Sequence, residues 1–544
     1  MMRVKIDHLA VWVGFILLAG ALLFSGISTT PLTKSTEARV SGIAAQMYLD
    51  RDFIVPKLNS KPFLEKPPMY SWLTAISFRA FGINSFAARL PSMLSAIGIL
   101  CLLIFHLKRC KASFVAQITA ALSLMSMAMF WSYSRSSGQD VLLTFGVSLS
   151  LLNLYYYLES KNRLYILSAV VGISIASLTK GIFGLFIIGI VIFPFSILSN
   201  ILVRKCHWYR GIFVLAVIFL VAIVPLSLWL TLLYMKAGWV AFYEATWVNS
   251  VGRLLGESGG HVEPWYYYLV RIPGLFQPWL VFVALGLYVG LKAKDRSPYW
   301  LFLCCWLLIP ILFLSISSSK RIIYLLSIYP VGALFIAYFV EKIHKKWDAG
   351  EISNGVKPVN YLIYFQILIT SAVLCYCIYS TFYIWKESAV WLLAFIAIAA
   401  ILTAAVLSVR SKKVGFAFYF NLLAVCALYI FYGQNLDEKE SQSRSFEHVF
   451  QSKAFADTKA AVALYQPEER LSGAAVYYLH HPVRDLATRK ELVKFIRNNP
   501  DYIVLSEQSD LSAQPGGLES IPLGKGKVYL LAAKKKSLRT ASLN

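Results

Sequence analysis

Long apolar runs recur near residues 9–27, 91–107, 113–131, 140–158, 163–178, 181–200, 209–235, 272–291, 298–316, 322–340, 358–384, 388–408 and 414–433. A helix that crosses a bilayer takes about 20 mostly apolar residues. These thirteen runs therefore predict an all-α polytopic membrane domain over residues 1–433. Thr179-Lys180-Gly181 divides the fifth run from the sixth, and their joint length predicts two short spans joined by a tight turn. Met1 to Lys5 followed by apolar Leu9 to Phe24 has the layout of a secretory signal. It lacks a convincing small-residue cleavage site and further spans follow, so an uncleaved first helix is expected.

The pattern changes in two places. The segment 28–90 lies between two spans and is too long for a simple connector, so it is expected to be structured. Within it Val40, Ile43, Ala44 and Met47 recur at helical spacing after the polar start Ser35-Thr36-Glu37. That spacing predicts an amphipathic helix in the interface plane, or a plain surface helix. Residues 434–544 are polar and charged and predict a small soluble α/β domain. Its strands are expected at Ala475–Leu479, Tyr502–Leu505 and Lys527–Leu531, with a helix from Thr488 to Arg497. His480-His481 has no neighbouring Cys, Asp or Glu at ligand spacing and reads as a solvated turn.

Composition supports the membrane reading: 58% of the 544 residues are hydrophobic and 15% charged, too apolar for an ordinary soluble chain. Aromatic clusters such as Trp265-Tyr266-Tyr267-Tyr268 stand near the ends of apolar runs, where amphipathic rings favour the headgroup level. The formal charge of +24 sits in short clusters between runs, with no nucleic-acid motif, so no nucleic-acid partner is expected. Most of the eight cysteines lie inside apolar runs, and no disulfide framework is implied.

With the N-terminus in the cytoplasm, every second loop is basic, as at Lys108-Arg109-Lys111, Arg204-Lys205, Lys342 with Lys345-Lys346, and Arg410-Lys412-Lys413. This satisfies the positive-inside rule. Segments 28–90 and 236–271 and the tail then face outward. Arg135, Lys180, Lys320 and Arg321 fall in short outward turns and break the rule. Binding an anion at the membrane surface is one reason for such cations; snorkelling to lipid headgroups is the other.

The outward loop also carries Lys61-Pro-Phe-Leu-Glu65-Lys66-Pro67-Pro68, where two prolines fix the backbone after an adjacent acid and base. Lys66 suits a phosphate as a point charge, and Glu65 suits a proton or a divalent cation. An ordinary surface pair is the plain alternative.

Several pieces occur in a characteristic order: Thr36-Glu37-Ala38-Arg39, Asp52-Phe-Ile-Val-Pro56, Phe63-Leu-Glu65-Lys66-Pro67-Pro68, Ala88-Arg89-Leu90-Pro91, Arg135 with Asp140, Leu178-Thr179-Lys180-Gly181, His261-Val-Glu-Pro-Trp265 and Ser319-Lys320-Arg321 with Tyr324. Together they resemble the C-type membrane glycosyltransferases of the lipid A aminoarabinose transferase and protein O-mannosyltransferase family. The resemblance implies an enzyme of the bacterial inner membrane that moves a sugar from a polyprenyl-phosphate carrier to a lipid or protein acceptor on the outer face. It implies that Arg39 and Lys66 hold the carrier phosphate, with Lys180, Arg321 and Tyr324 as further donors, and that Glu65 and His261 hold a divalent metal.

The family pattern opens with Asp-Glu where this chain has Thr36-Glu37. A threonine hydroxyl cannot act as a base at neutral pH. Glu37 or Asp140 is then the expected proton acceptor, unless the acceptor is itself an ionised phosphate. A transporter or flippase of lipid-linked sugars, and a non-catalytic homologue, are the rival readings.

Overall fold

The computed structural model describes residues 8–33, 35–202, 208–252, 262–293, 297–348, 357–384, 390–411, 414–450, 460–499, 502–507, 520–523 and 528–532. The chain opens with α1 (His8–Phe24) and α2 (Ser35–Asp50), followed by a hairpin of β1 (Lys57–Leu58) and β2 (Lys61–Pro62) and by α3 (Met69–Phe81). The bundle continues with α4 (Ser85–Arg109), α5 (Phe114–Met125), α6 (Ala128–Ser134), α7 (Gln139–Ser160), α8 (Leu164–Lys180) and α9 (Ile182–Leu202). Then come α10 (Trp208–Ala222), α11 (Val224–Tyr243), α12 (Tyr267–Arg271), α13 (Leu280–Lys292), α14 (Pro298–Ile316) and α15 (Tyr329–Asp348). The last long helices are α16 (Lys357–Tyr379), α17 (Val390–Arg410) and α18 (Val414–Arg444).

Among the described residues nine helices are long and apolar enough to cross a membrane, or ten if the bent pair α5–α6 is one span. Several apolar runs are not the single helices they predict. The run 113–131 breaks between α5 and α6 with a 70° bend. There the α6 amide of Ala128 donates to the Gln277 carbonyl at 2.8 Å, and Trp279 donates through Nε1 to Ser126 Oγ at 2.8 Å. The run 209–235 restarts at Val224-Pro225, because proline has no amide to continue the ladder. The run 272–291 is helical only from Leu280, after Pro273 and Pro278. The turn at Thr179-Lys180-Gly181 is present: α8 ends at Lys180, and Gly181 takes φ 61° before α9 begins. That left-handed region favours glycine.

The segment 28–90 is folded. Val40, Ile43, Ala44 and Met47 do lie on a helix, and all four are buried by protein. This helix, α2, is covered by α3 on one side and by the C-terminal residues on another, so nearly all its faces are buried. The segment Asp52–Pro56 is clamped by Trp72 Nε1 donating to the Phe53 carbonyl at 2.7 Å and Trp229 Nε1 donating to the Ile54 carbonyl at 3.0 Å.

Toward the C-terminus, a short α19 (Glu447–Phe450) precedes β3 (Ala461–Tyr465), α20 (Glu469–Leu479), β4 (Arg484–Leu486), α21 (Arg489–Asn498), β5 (Tyr502–Ser506), β6 (Ser520–Leu523) and β7 (Val528–Ala532). The strand order is β4-β3-β5-β7-β6, with β3 parallel to both β4 and β5 and the β5–β7 and β6–β7 pairs antiparallel. The expected strand Ala475–Leu479 is instead the end of α20. Leu471, Ala474 and Ala475 pack on Leu464 and Leu505 of the sheet, while Val476 and Tyr477 pack on Phe78 and Ala44. A helix buried on two sides reads as a continuous apolar run, which mimics a strand. The expected helix after Thr488 is α21, closed by a capping box between Thr488 and Glu491. The expected boundary between 433 and 434 falls inside α18.

Gly42 of α2 and Gly473 of α20 meet backbone to backbone, and a Cβ on Gly42 would run into the Gly473 carbonyl. Gly473→Val is therefore expected to cost about 1–3 kcal/mol by overpacking. The expected readout is faster proteolysis of the C-terminal unit, with the helix bundle unaffected.

Asp52 joins the loop to α11. Burial alone would raise its carboxyl, but hydrogen bonds from Lys236 Nζ at 2.8 Å, the Val55 amide at 3.2 Å, Lys57 Nζ at 3.2 Å and the Ile54 amide at 3.1 Å outweigh it and hold the pKa at about 2. A carboxyl depressed in the folded state stabilises it fully above the unfolded pKa of about 4, and that stability is lost as pH falls toward 2. Asp52→Asn is expected to cost about 2 kcal/mol at neutral pH. In thermal unfolding of the detergent-solubilised protein, the gap between wild type and variant should close below about pH 3.

Candidate functional site

The first loop delivers its charges by local geometry. Asn59 and Ser60 take φ 51° and 71°, the left-handed pair that a two-residue hairpin turn requires. The Phe63 amide then bonds to the Pro56 carbonyl at 2.8 Å, closing the base of the hairpin just before Glu65 and Lys66. Pro67 and Pro68 lead directly into α3, where a missing amide costs nothing.

Arg39 on α2 reaches the same place from the other direction. Its Nη1 lies 3.3 Å from Glu65 Oε2 and 2.5 Å from Glu469 Oε2 at the start of α20, and its guanidinium lies 5.3 Å from the Phe63 ring centroid. Lys66 Nζ is 3.6 Å from Glu65 Oε1. Two cations and two carboxylates thus form one cluster, contributed by α2, the segment before α3, and α20.

Lys66 and Glu65 also stand at an open cleft of about 130 Å³ with Lys180 and Tyr324. Most of its remaining wall is apolar, from Ile182, Phe183 and Phe186 of α9 and Phe313 and Leu314 of α14, with Asn249, Ser317 and Ser319 as the polar members. Lys180, the last residue of α8, is 2.5 Å from Asp140 Oδ1 and 4.9 Å from the Tyr324 ring. Asp140 lies in the first turn of α7, where the helix dipole favours a negative charge.

The remaining expected residues fall elsewhere. Arg321 stands just before the 3₁₀ turn Ile322–Ile328 with its side chain exposed, and its carbonyl accepts from the Tyr268 hydroxyl at 3.1 Å. Glu37 does not join the cleft. Its carboxylate is 1% exposed and accepts from Arg89 Nε at 2.9 Å, the Ser137 amide at 2.9 Å and the Thr33 amide at 3.1 Å. Thr36 is half-buried. His261 lies outside the described residues. Among the described residues no group of three His, Cys, Asp or Glu side chains forms a metal site. Glu65, the described member of the expected metal pair, lies between Arg39 and Lys66.

Two of the four cations that break the charge rule are held by backbone carbonyls. Arg135 donates to the Leu22 carbonyl at 3.0 Å and stacks 4.9 Å from the Trp131 ring. Lys320 is buried and donates to the Glu263 carbonyl at 2.9 Å and to the Ser317 carbonyl. Burial pushes the Lys320 pKa below its ordinary value, against the pull of Glu263. Lys180 is the one that lines the cleft. Glu469 carried no signal in the sequence, since it meets Arg39 across 430 positions.

A family model described as dolichyl-phosphate-mannose-protein mannosyltransferase matches residues 65–229. The chain is 30% identical over 311 residues to the undecaprenyl phosphate-alpha-4-amino-4-deoxy-L-arabinose arabinosyl transferase of Shewanella sediminis, covering 55% of this chain and 54% of that protein. The second such transferase of Proteus mirabilis is 28% identical over 379 residues, 67% of this chain and 66% of the relative. A protein of Aquifex aeolicus described as uncharacterized is 31% identical over 323 residues, 58% of this chain and 70% of its own length. The chain thus spans from about half to about two thirds of the first two relatives. In structure it is similar to ArnT from Cupriavidus metallidurans, in a crystal structure bound to undecaprenyl phosphate. The TM-score is 0.74 at 18% identity, covering 97% of this chain and 99% of that one, which shows a common fold. Ordered motifs, helical architecture and these likenesses agree: the chain belongs to the membrane glycosyltransferase family of the aminoarabinose transferases and dolichyl-phosphate-mannose-protein mannosyltransferases.

Proposed function

We propose that this chain transfers a sugar from a polyprenyl-phosphate carrier to a lipid A-like lipid or a protein at the outer face of the bacterial inner membrane. The observation that carries the reading is the cleft whose cationic end holds Lys66 and Lys180 and whose walls are Phe183, Phe186, Phe313 and Leu314. A phosphate joined to an isoprenoid chain needs that combination of fixed positive charge and an apolar groove. The undecaprenyl phosphate bound to the Cupriavidus protein and the names of the curated relatives point to the same class of carrier.

In this reading the N-terminus is cytoplasmic and the C-terminal α/β domain from 434 is extracytoplasmic. We read the shorter apolar helices Val11–Phe24, Leu164–Lys180 and Leu280–Lys292 as crossings too, beside the nine helices and the bent pair of sufficient length, a reading that has thirteen crossings. The ion pairs Arg39–Glu65, Lys180–Asp140 and Lys236–Asp52 gather around the loops at one end of the bundle, which favours chemistry at the surface over passage through the membrane.

The reaction places growing negative charge on the phosphate as the bond from its oxygen to the anomeric carbon breaks and that oxygen keeps the electron pair. Lys66, Lys180 and Arg39 oppose that charge in a partly dry site, where fixed cations act more strongly than in water. The acceptor hydroxyl gives its proton to a carboxylate as its oxygen bonds to the anomeric carbon. Asp140 is the carboxylate we assign to this step, because it borders the cleft through Lys180 whereas Glu37 is enclosed by Arg89 and backbone amides.

Lys66→Ala is expected to weaken binding of undecaprenyl phosphate by about tenfold, and transfer with it. Asp140→Asn should leave that binding within a few fold and cut transfer by about 100-fold or more. Purified protein with labelled polyprenyl-phosphate sugars and membrane acceptors measures both. Absence of transfer from every donor, with lipid binding unchanged in Lys66→Ala, overturns the proposal.

A further inference from the structure

Two short stretches beside the carrier cleft are tied together by one buried lysine. One is the turn from Ser317 to Arg321 that follows α14, and the other contains Val262 and Glu263, ahead of α12. Val262 and Ser319 form an isolated antiparallel bridge, and the Glu263 amide donates to the Ser318 carbonyl at 3.4 Å. Lys320, 3% exposed, closes this junction. Its Nζ donates to the Glu263 carbonyl at 2.9 Å and to the Ser317 carbonyl, one from each stretch. A buried ammonium is costly unless its protons find acceptors, so the lysine and the two carbonyls hold one another in place.

The part of the cleft wall that follows α14 is held in two different ways. Tyr324 belongs to the 3₁₀ turn Ile322–Ile328, which Ile323, Leu325 and Leu326 anchor in the core of the bundle. Its ring lies 4.9 Å from Lys180 Nζ, on the side of the cleft that meets phosphate. Ser319 lies between α14 and that turn, outside both. Its position depends on the bridge to Val262 and on the Lys320 ammonium, not on apolar packing.

Ser317 and Ser319 face a different chemistry from the lysines. The Ser319 hydroxyl makes no hydrogen bond among the described residues, and the Ser317 hydroxyl makes a long one, 3.4 Å, to the Ser319 carbonyl. Asn249, from the π-helical segment Glu244–Gly252, donates through Nδ2 to the Leu64 carbonyl at 3.3 Å, which leaves its side-chain oxygen as an acceptor in the same wall. Hydroxyls donate and accept, and an amide oxygen accepts, so these groups match the hydroxyls or amines of a sugar. The charge of the phosphate is met by Lys66 and Lys180, and the sugar joined to that phosphate needs neutral partners close by.

We propose that Ser317 and Ser319, with Asn249, read the hydroxyl or amino groups of the donor sugar, and that Lys320 is the positioning residue that holds the serines in the wall. The proposal rests on the transferase reading above and separates two tasks within one cleft. The lysines bind the carrier, and the clipped turn selects what the carrier bears.

The test uses the full-length protein in nanodiscs and compares bare undecaprenyl phosphate with undecaprenyl phosphate bearing 4-amino-4-deoxy-L-arabinose or mannose, the sugars in the descriptions of the relatives. The wild type should bind at least one sugar-bearing carrier more tightly than the bare one. Ser319→Ala should weaken that carrier by about fivefold and leave the bare phosphate within about twofold. Lys320→Met keeps the length of the side chain and removes the ammonium. It should weaken the sugar-bearing carrier by about tenfold, again with the bare phosphate within about twofold, because Tyr324 and Lys180 do not depend on the clip. A purely structural lysine would lower both affinities together. Ser319→Ala leaves the clip intact and reads the wall even where Lys320→Met does not fold. Equal losses for bare and sugar-bearing carriers in Lys320→Met, unchanged affinity in Ser319→Ala, or a wild type indifferent to the sugar overturns the proposal and leaves the transferase reading standing. A wild type that binds neither carrier overturns both.

Discussion

The buried pair of Glu37 and Arg89 fixes the frame on which the outward side is built. Taking two charges out of water is costly unless every remaining hydrogen-bonding group finds a partner. Here they do so widely. Arg89 also donates to the Ile27 carbonyl at 3.0 Å, the Thr30 carbonyl at 2.7 Å and the Pro31 carbonyl at 2.8 Å, while the carboxylate takes the amides of Thr33 and Ser137. One pair therefore joins the chain after α1, the start of α2, the helix α4 and the turn before α7. Residues two apart on a helix point about 200° from one another. Locking Glu37 into the bundle thus turns Arg39 away from it, toward Glu65, Phe63 and Glu469. An acid and a base two positions apart are separated into a structural anchor and a site residue by helix geometry alone.

Around that anchor the site is nearly balanced in charge. Arg39 and Lys66 share Glu65 and Glu469, and Lys180 holds Asp140. Such pairing orders long side chains before a ligand arrives, at some cost in affinity, because an incoming phosphate must exchange partners with a carboxylate. The exchange has a use in the reaction proposed here. A lysine that turns toward phosphate lets go of the Asp140 oxygen it pairs with, and in that reaction the oxygen is then open to the acceptor hydroxyl.

The sheet of the C-terminal unit is not an appendage to this frame. Ala38 of α2 packs in one core with Leu464, Leu471 and Leu505, and Leu32, Ala44 and Phe78 pack with Val476 and Tyr477. The first loop and the C-terminal unit fold as one body over the end of the bundle.

Much of this was legible in the chain because it depends on local composition. Apolar length announced most of the helices, Thr179-Lys180-Gly181 announced a turn, and the stretch from Thr488 to Arg497 announced a helix. The ordered motifs pointed to Arg39, Lys66 and Lys180 as candidate cations, and the fold brings Arg39 and Lys66 around Glu65 and Lys180 to the cleft that Lys66 lines. What sequence could not supply were contacts between distant positions. A residue such as Arg135 or Lys320 breaks the charge rule in the same way whether it binds a ligand or a backbone carbonyl, and only packing distinguishes the two. Ala475–Leu479 looks like a strand until two separate cores claim opposite sides of one helix. Glu469 has no motif at all. Its role is set where α20 lands on α2, and that landing depends on Gly42 and Gly473 letting two backbones touch. The sequence by itself determined where most of the long apolar helices run, since hydrophobic length acts locally. Only the tertiary structure decided which carboxylate each cation meets, because an ion pair is a property of two surfaces brought together.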